Sequence, residues 1–135
     1  MTLFVDTSVW SLALRRNAAP EGPQVQRLRD ALQSGEAIHT TGIVLQELLQ
    51  GYQGPRAGAR IVERFAALPM IVPRREDHID AAGLRNECRR HGVQVGTIDA
   101  LLAQLCIRHE LVMLSADRDF THVAEWTPLR VWRAS

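Results

Sequence analysis

Lysine is missing from this sequence altogether: all 16 basic residues are arginine. A chain without lysine has no P-loop lysine to reach a nucleotide's phosphates, no Schiff-base amine, and no lysine to assist a phospho-acceptor aspartate. Those three chemistries of α/β proteins are excluded. The all-arginine set itself fits the base composition that also enriches Ala and Gly, and it carries no functional meaning of its own. Cysteine is scarce, with Cys88 and Cys106 far apart, no C-x-x-C pair and no histidine at finger spacing. A disulfide framework and a zinc finger are therefore not expected, and the two thiols read as buried or free. No apolar run approaches the roughly 20 residues of a membrane-spanning helix. No basic segment leads into an apolar one with a small-residue cleavage site at the N-terminus, so the expected location is the cytoplasm. A net charge of +1 gives no global attraction to nucleic acid or anionic membrane, and any such partner must be found by local patches.

What is present suits one domain over residues 1–135: 46% hydrophobic and 23% charged residues, without repeats or a low-complexity linker. Leu3 to Val5 reads as a strand apolar on both faces, as in the middle of a parallel sheet. Thr7 or Ser8 can cap a helix running to about Arg16, Asn17 to Pro23 reads as a loop, and a second helix spans Gln24 to Ser34 before Gly35. Glu36 to Thr40 reads as a second strand, and Thr40 or Thr41 caps the helix containing "GIVLQELLQGY", which ends near Gly51. "QGPRAG" reads as a loop, "ARIVERFAAL" as a helix, Met70 to Val72 as a third strand, and Asp77 to His91 as a polar amphipathic helix. "VQVGTID" leads into a helix capped by Thr97 that continues to about His109; "LVMLSADRDF" reads as a fourth strand and a loop, and "PLRVW" as a short last strand. Strands separated by helices imply parallel pairing, since a parallel crossover needs a dozen or more residues, and ligands of such sheets sit at the strands' C-terminal ends.

The acids fall where that rule directs attention. Asp6 follows the first strand, where an ionised carboxylate costs several kcal/mol (roughly) unless it is paired or hydrogen-bonded. It either caps the following helix or faces a counter-charge. Glu47 lies at the border of the stripe Val44, Leu45, Leu48, Leu49 and Tyr52. Asp99 falls within an apolar arc of Leu102, Ala103, Cys106 and Ile107, so it points inward, where favourable interaction with the helix dipole does not explain it. Asp117 and Asp119 follow the fourth strand after Ser115. Carboxylates brought together at one rim repel strongly in a site of low dielectric, and a divalent cation removes that repulsion. Hard oxygen donors suit Mg²⁺ or Mn²⁺, whereas His39, His78, His91, His109 and His122 are scattered and form no softer site.

In order along the chain, "VDTSVW", "VLQELLQG", "TIDALLAQL" and "LSADRDF" resemble the motifs of PIN-domain ribonucleases, and specifically VapC-type toxins of bacterial toxin-antitoxin pairs. The resemblance covers almost the whole chain. It implies a PIN-like three-layer α/β/α fold with a mostly parallel sheet of four to five strands. It also implies that Asp6, Glu47, Asp99 and Asp117 form the quartet that binds Mg²⁺, with Mn²⁺ able to substitute, and that Asp119 is auxiliary. Family members differ in the late acid, so the choice between Asp117 and Asp119 stays open. Ser115 matches the family's Ser or Thr, Thr7 and Ser8 match its hydroxyl pair, and Ser8 is assigned to holding Asp6 or a water.

The implied reaction is hydrolysis of an RNA phosphodiester by a metal-activated water, with no side-chain nucleophile. The implied partners are RNA, a small VapB-type antitoxin and a second copy of the chain, with no membrane. Arg15, Arg16, Arg74 and Arg75, and further along Arg89 and Arg90, are candidates for phosphate contact, and Trp10, Trp126 and Trp132 for base stacking or for a core. The competing readings are a PIN-type nuclease of RNA processing without an antitoxin and a non-catalytic PIN-like binding module. An aspartyl-phosphate phosphohydrolase is disfavoured, because no second Asp follows Asp6 by two residues.

Overall fold

A computed structural model describes residues 1–15, 22–52 and 54–135. Five parallel strands, β1 (Leu3–Val5), β2 (Ile38–Thr41), β3 (Met70–Ile71), β4 (Val112–Leu114) and β5 (Arg130–Val131), form one sheet in the order β3-β2-β1-β4-β5. The expected mostly parallel sheet is thus parallel throughout. In β1 every residue is fully buried, as expected for a strand covered on both faces. Leu3 pairs with Ile38 on one side and with Val112 on the other. The chain builds outward from β1 to β2 and β3, then crosses back to add β4 and β5, so the order reverses between β1 and β4. At such a reversal a crevice opens beyond the strands' C-terminal ends.

The helices are α1 (Thr7–Ala13), α2 (Pro23–Ser34), α3 (Gly42–Gly51), α4 (Pro55–Ala66), α5 (Arg75–Arg90), α6 (Thr97–Arg108) and α7 (Asp119–Trp126). Trp10 of α1 is buried with its ring 4.9 Å from that of Phe65 of α4, so it belongs to the core. Trp126 is 45% exposed and stacks on His91 at 3.8 Å. Cys88 and Cys106 are buried free thiols, as expected. Among the described residues no helix is long and apolar enough to cross a membrane.

Several boundaries differ from the sequence reading. The cap of α1 is Asp6, not Thr7 or Ser8, because the Asp6 carboxylate accepts from the Ser8 and Val9 amides; the helix ends at Ala13, before Arg16. Arg16 and most of the expected loop from Asn17 to Pro23 lie outside the described residues. The second strand starts at Ile38 and includes Thr41, which is the N-cap residue of α3 as expected, but its hydroxyl makes no capping hydrogen bond and donates instead to the Ile71 carbonyl at 2.6 Å, tying β2 to β3. "QGPRAG" is not all loop, since Pro55 opens α4, where its missing N–H and fixed φ are favourable. Thr97 is the first residue of α6 and Gly96 its cap, without a side-chain hydrogen bond. The stretch after Ser115 is not loop up to the last strand: it contains α7, whose entry turn forms when the Asp119 amide donates to Asp117 Oδ1 at 2.9 Å.

Candidate metal centre

Asp6 stands at the reversal between β1 and β4 and is only 6% exposed. The ladder continues into it, as its amide donates to the Leu114 carbonyl at 3.1 Å. Its two carboxylate oxygens are held differently. Oδ1 accepts from the Ser8 amide at 3.0 Å, the Val9 amide at 3.4 Å and the Ser8 hydroxyl, while Oδ2 accepts from the Ser115 hydroxyl at 2.7 Å. Both alternatives for this residue therefore hold together, since it caps α1 and also faces the rim. Burial raises its pKa above the ordinary aspartate value, against these hydrogen bonds, which lower it.

The two serines do more than hold a carboxylate. With their single protons given to Asp6, their oxygens accept backbone amides from the loop after β4: Ala116 N–H on Ser8 at 3.0 Å and Asp117 N–H on Ser115 at 2.9 Å. The pair thereby closes the seam between the ends of β1 and β4. From the neighbouring α3, Glu47 Oε1 accepts from the Thr7 hydroxyl at 2.7 Å, which orients that acid at the start of α1.

Asp99, in the first turn of α6, is partly buried, and its pKa is pushed up to about 6. Burial is the largest cause, followed by repulsion from Asp117, Asp6, Glu47 and Asp119 in that order. Asp6, Glu47, Asp117 and Asp119 thus all lie within electrostatic range of Asp99. Asp117 acts more strongly on Asp99 than Asp119 does, and both are exposed. Behind the rim the buried thiol of Cys106 is pushed up by desolvation and by the charge of Asp6, so it stays neutral and non-nucleophilic.

Among the described residues no three His, Cys, Asp or Glu side chains are grouped so as to hold a metal ion between them. The other four acids stand close enough to Asp99 for their charges to act on it. The chemistry of the donor set, all carboxylate and hydroxyl oxygen, fits a hard divalent cation, which would offset both the burial of Asp99 and the repulsion it feels from the other acids.

The arginine candidates separate. Arg15 lies just past the far end of α1, beyond a helix about 9 Å long from Thr7 to Ala13, six steps at 1.5 Å each. There it joins Arg56, Arg60 and Arg64 around a groove of about 1440 Å³ with Leu14, Leu32, Tyr52, Ile61 and Leu68 among its apolar walls. The three arginines of α4, at four-residue spacing on one face, were not singled out by sequence because each alone looks like a solvated charge. Arg74 caps α5, next to Asp77 rather than to the acidic rim, and Arg75 follows it, exposed. Arg90 pairs with Glu87, and Arg89 donates to Asn86 at 2.7 Å.

A parallel sheet with five acids at its reversal point defines a class, and comparison with known families agrees: residues 3–125 match the PIN domain, and the chain belongs to that family. The chain is 29% identical over 132 residues, covering 95% of it and 96% of the relative, to ribonuclease VapC11 of Mycobacterium tuberculosis. It superposes on the structure of VapBC2 from Rickettsia felis bound to a DNA fragment from its promoter with a TM-score of 0.75, 18% identity and 98% of each chain covered. For VapC20 of Mycobacterium tuberculosis, described as a sarcin-ricin loop cleaving toxin, the TM-score is 0.71 at 20% identity, over 95% of this chain and 98% of that one.

Proposed function

We propose that this protein is a metal-dependent endoribonuclease of the VapC type, acting as the toxin of a toxin-antitoxin pair. The observation that carries the reading is the gathering of Asp6, Glu47, Asp117 and Asp119 around Asp99, whose pKa is raised to about 6 first by burial and then by their charges, in a chain related to ribonucleases. Asp6, Glu47, Asp99 and Asp117 would hold Mg²⁺, or Mn²⁺ in its place, and Asp119 would assist. Asp117 is the main late acid, in keeping with its larger effect on Asp99. When bound, the ion supplies an activated water and neutralises charge on the phosphate.

The chain's own groups do the positioning. Ser8 and Ser115 keep Asp6 ionised and fixed by donating to both of its oxygens, and Thr7 holds Glu47. Arg15 is the retained candidate for a backbone phosphate beyond the cleaved bond, since exposed guanidinium groups bind phosphate without reading sequence. An antitoxin segment is proposed to cross the groove and the rim. The acids attract its basic side chains, and Arg56, Arg60 and Arg64 attract its acidic ones. A homodimer is proposed on the family's pattern.

The test is cleavage of single-stranded and stem-loop RNA by the purified chain in Mg²⁺ and in EDTA, with Asp6→Asn and Asp99→Asn beside it. Expected are cleavage in Mg²⁺ only and a loss of at least about 100-fold in each variant. Cleavage that persists in EDTA or in Asp6→Asn refutes the metal centre. Growth arrest on expression, relieved by the protein of a short reading frame directly upstream, distinguishes a toxin from a nuclease of RNA maturation.

A further inference from the structure

We propose that Arg85 is a positioning residue for Asp99: by binding the Val95 carbonyl it fixes the loop that opens α6 and so sets where the Asp99 carboxylate stands in the acidic rim. The proposal rests on the reading of that rim as the metal centre.

The N-terminus of α6 has a particular need of an anchor. Gly96 occupies its cap position with no side chain to satisfy the free amides of the first turn, where a Ser, Thr, Asp or Asn would ordinarily stabilise the helix start. The connection from α5 contains Gly92 in the left-handed region, and its backbone ties run back to the end of α5, the Gly92 amide donating to the Arg89 carbonyl at 3.0 Å and the Val93 amide to the Cys88 carbonyl at 2.9 Å. Asp99 sits three residues beyond this bare cap, under repulsion from four other carboxylates.

Against that push stands one side-chain contact. Arg85 Nε donates to the Val95 carbonyl at 2.7 Å, immediately before the cap, and the Val95 side chain is buried beneath it. At the other end of α6, Arg108 donates to both oxygens of the buried Asp77 of α5 at 2.6 and 2.8 Å. Helix α5 thus grips α6 at two points and fixes its axial register. Of the two, Arg85 holds the end of α6 that carries Asp99, through a carbonyl four residues before it. Partners that orient metal ligands from behind alter metal affinity by about 10–100-fold when removed.

The experiment measures Mn²⁺ affinity by calorimetry, together with amide hydrogen exchange over residues 95–100, for wild type, Arg85→Ala, Arg85→Lys, Asp99→Asn and Leu28→Ala. Leu28 is fully buried in α2, so its truncation lowers stability away from α6. Expected are an affinity about tenfold weaker and faster exchange at residues 95–100 in Arg85→Ala, substantial recovery in Arg85→Lys, and an unchanged affinity in Leu28→Ala. If Arg85→Ala does not fold, Arg85→Gln replaces it, with the same weakening expected.

If the Arg85 variants bind Mn²⁺ within twofold of wild type while Asp99→Asn loses binding, the positioning role is overturned and the metal centre stands. Equal weakening in Leu28→Ala and Arg85→Ala also overturns it, because lost stability then accounts for the effect. If Asp99→Asn binds Mn²⁺ like wild type, the metal-centre reading itself fails and takes this inference with it.

Discussion

Removing a charge from the acidic rim should make the metal-free protein more stable, although it destroys the site. Asp99→Asn keeps the shape of the side chain and deletes one of the five carboxylates whose repulsion, with burial, lifts the Asp99 pKa from 3.8 to about 6. At about 1.36 kcal/mol per pH unit, that lift corresponds to an upper limit of roughly 3 kcal/mol. Asp99 is only partly buried, so solvent screening reduces it, and the lost attraction of an acid to the start of α6 reduces it further, leaving about 1–2 kcal/mol. The sign follows from linkage. A carboxyl group whose folded pKa is raised binds more protons folded than unfolded between about pH 4 and 6, so its unfavourable contribution appears as pH rises through that window and is absent below it. Urea denaturation in EDTA should therefore find Asp99→Asn more stable than wild type at pH 7.5, with the difference gone by pH 4. Adding Mg²⁺ should reverse the order by stabilising only the wild type. A variant equal to or less stable than wild type at pH 7.5 in EDTA would show that the rim acids do not strain the fold, and the argument for a cation would lose its basis.

Asp77→Asn should have the opposite effect. It breaks a pair whose carboxylate is fully buried, costing about 3 kcal/mol, the low end of the range for such pairs because Arg108 is 24% exposed and reaches water. Arg108 holds the Asp77 pKa below the ordinary value, so this stabilisation is complete above about pH 4 and is lost as pH falls through the depressed pKa; the two denaturation midpoints should converge in acid. Ser115→Ala removes the donor to Asp6 Oδ2 and should cost about 1–2 kcal/mol at pH 7.5, and less in acid once the Asp6 carboxylate, whose pKa burial raises, takes up a proton. Gly58→Ala should stabilise α4 by about 0.5–1 kcal/mol in thermal melts, because the added methyl would meet only Leu49 Cδ2 at an ordinary 3.8 Å.

The acids were legible in the sequence because their signals are local. Asp6 and Asp117 betray themselves by following buried apolar triplets, and Asp99 by falling within an apolar arc of its own helix. The elements misread were those with conflicting local signals. Pro55 and Gly58 look like breakers, yet one opens α4 and the other lies inside it. Helix α7 is eight residues long and opens through an Asp turn, so "ADRD" looks like the start of a loop. Thr41 caps α3 as expected, yet it spends its hydroxyl on a neighbouring strand, a contact 30 residues away along the chain that no local signal announces.

Much of what holds the acids in place is long-range, and this is why it stayed hidden. Ser115 reaches Asp6 across 109 residues, Thr7 reaches Glu47 across 40, and Arg108 reaches Asp77 across 31. Each member of these pairs is unremarkable in its own segment. Asp77 reads as a favourable acid at a helix start and Arg108 as a favourable base at a helix end, and only packing of α5 on α6 turns them into a buried ion pair. A parallel sheet collects acids at one rim from distant segments, but it cannot by itself hold like charges together. That task falls to hydroxyl and guanidinium donors brought in by the same folding, so the site and its restraints form in one cooperative step and neither is encoded without the other.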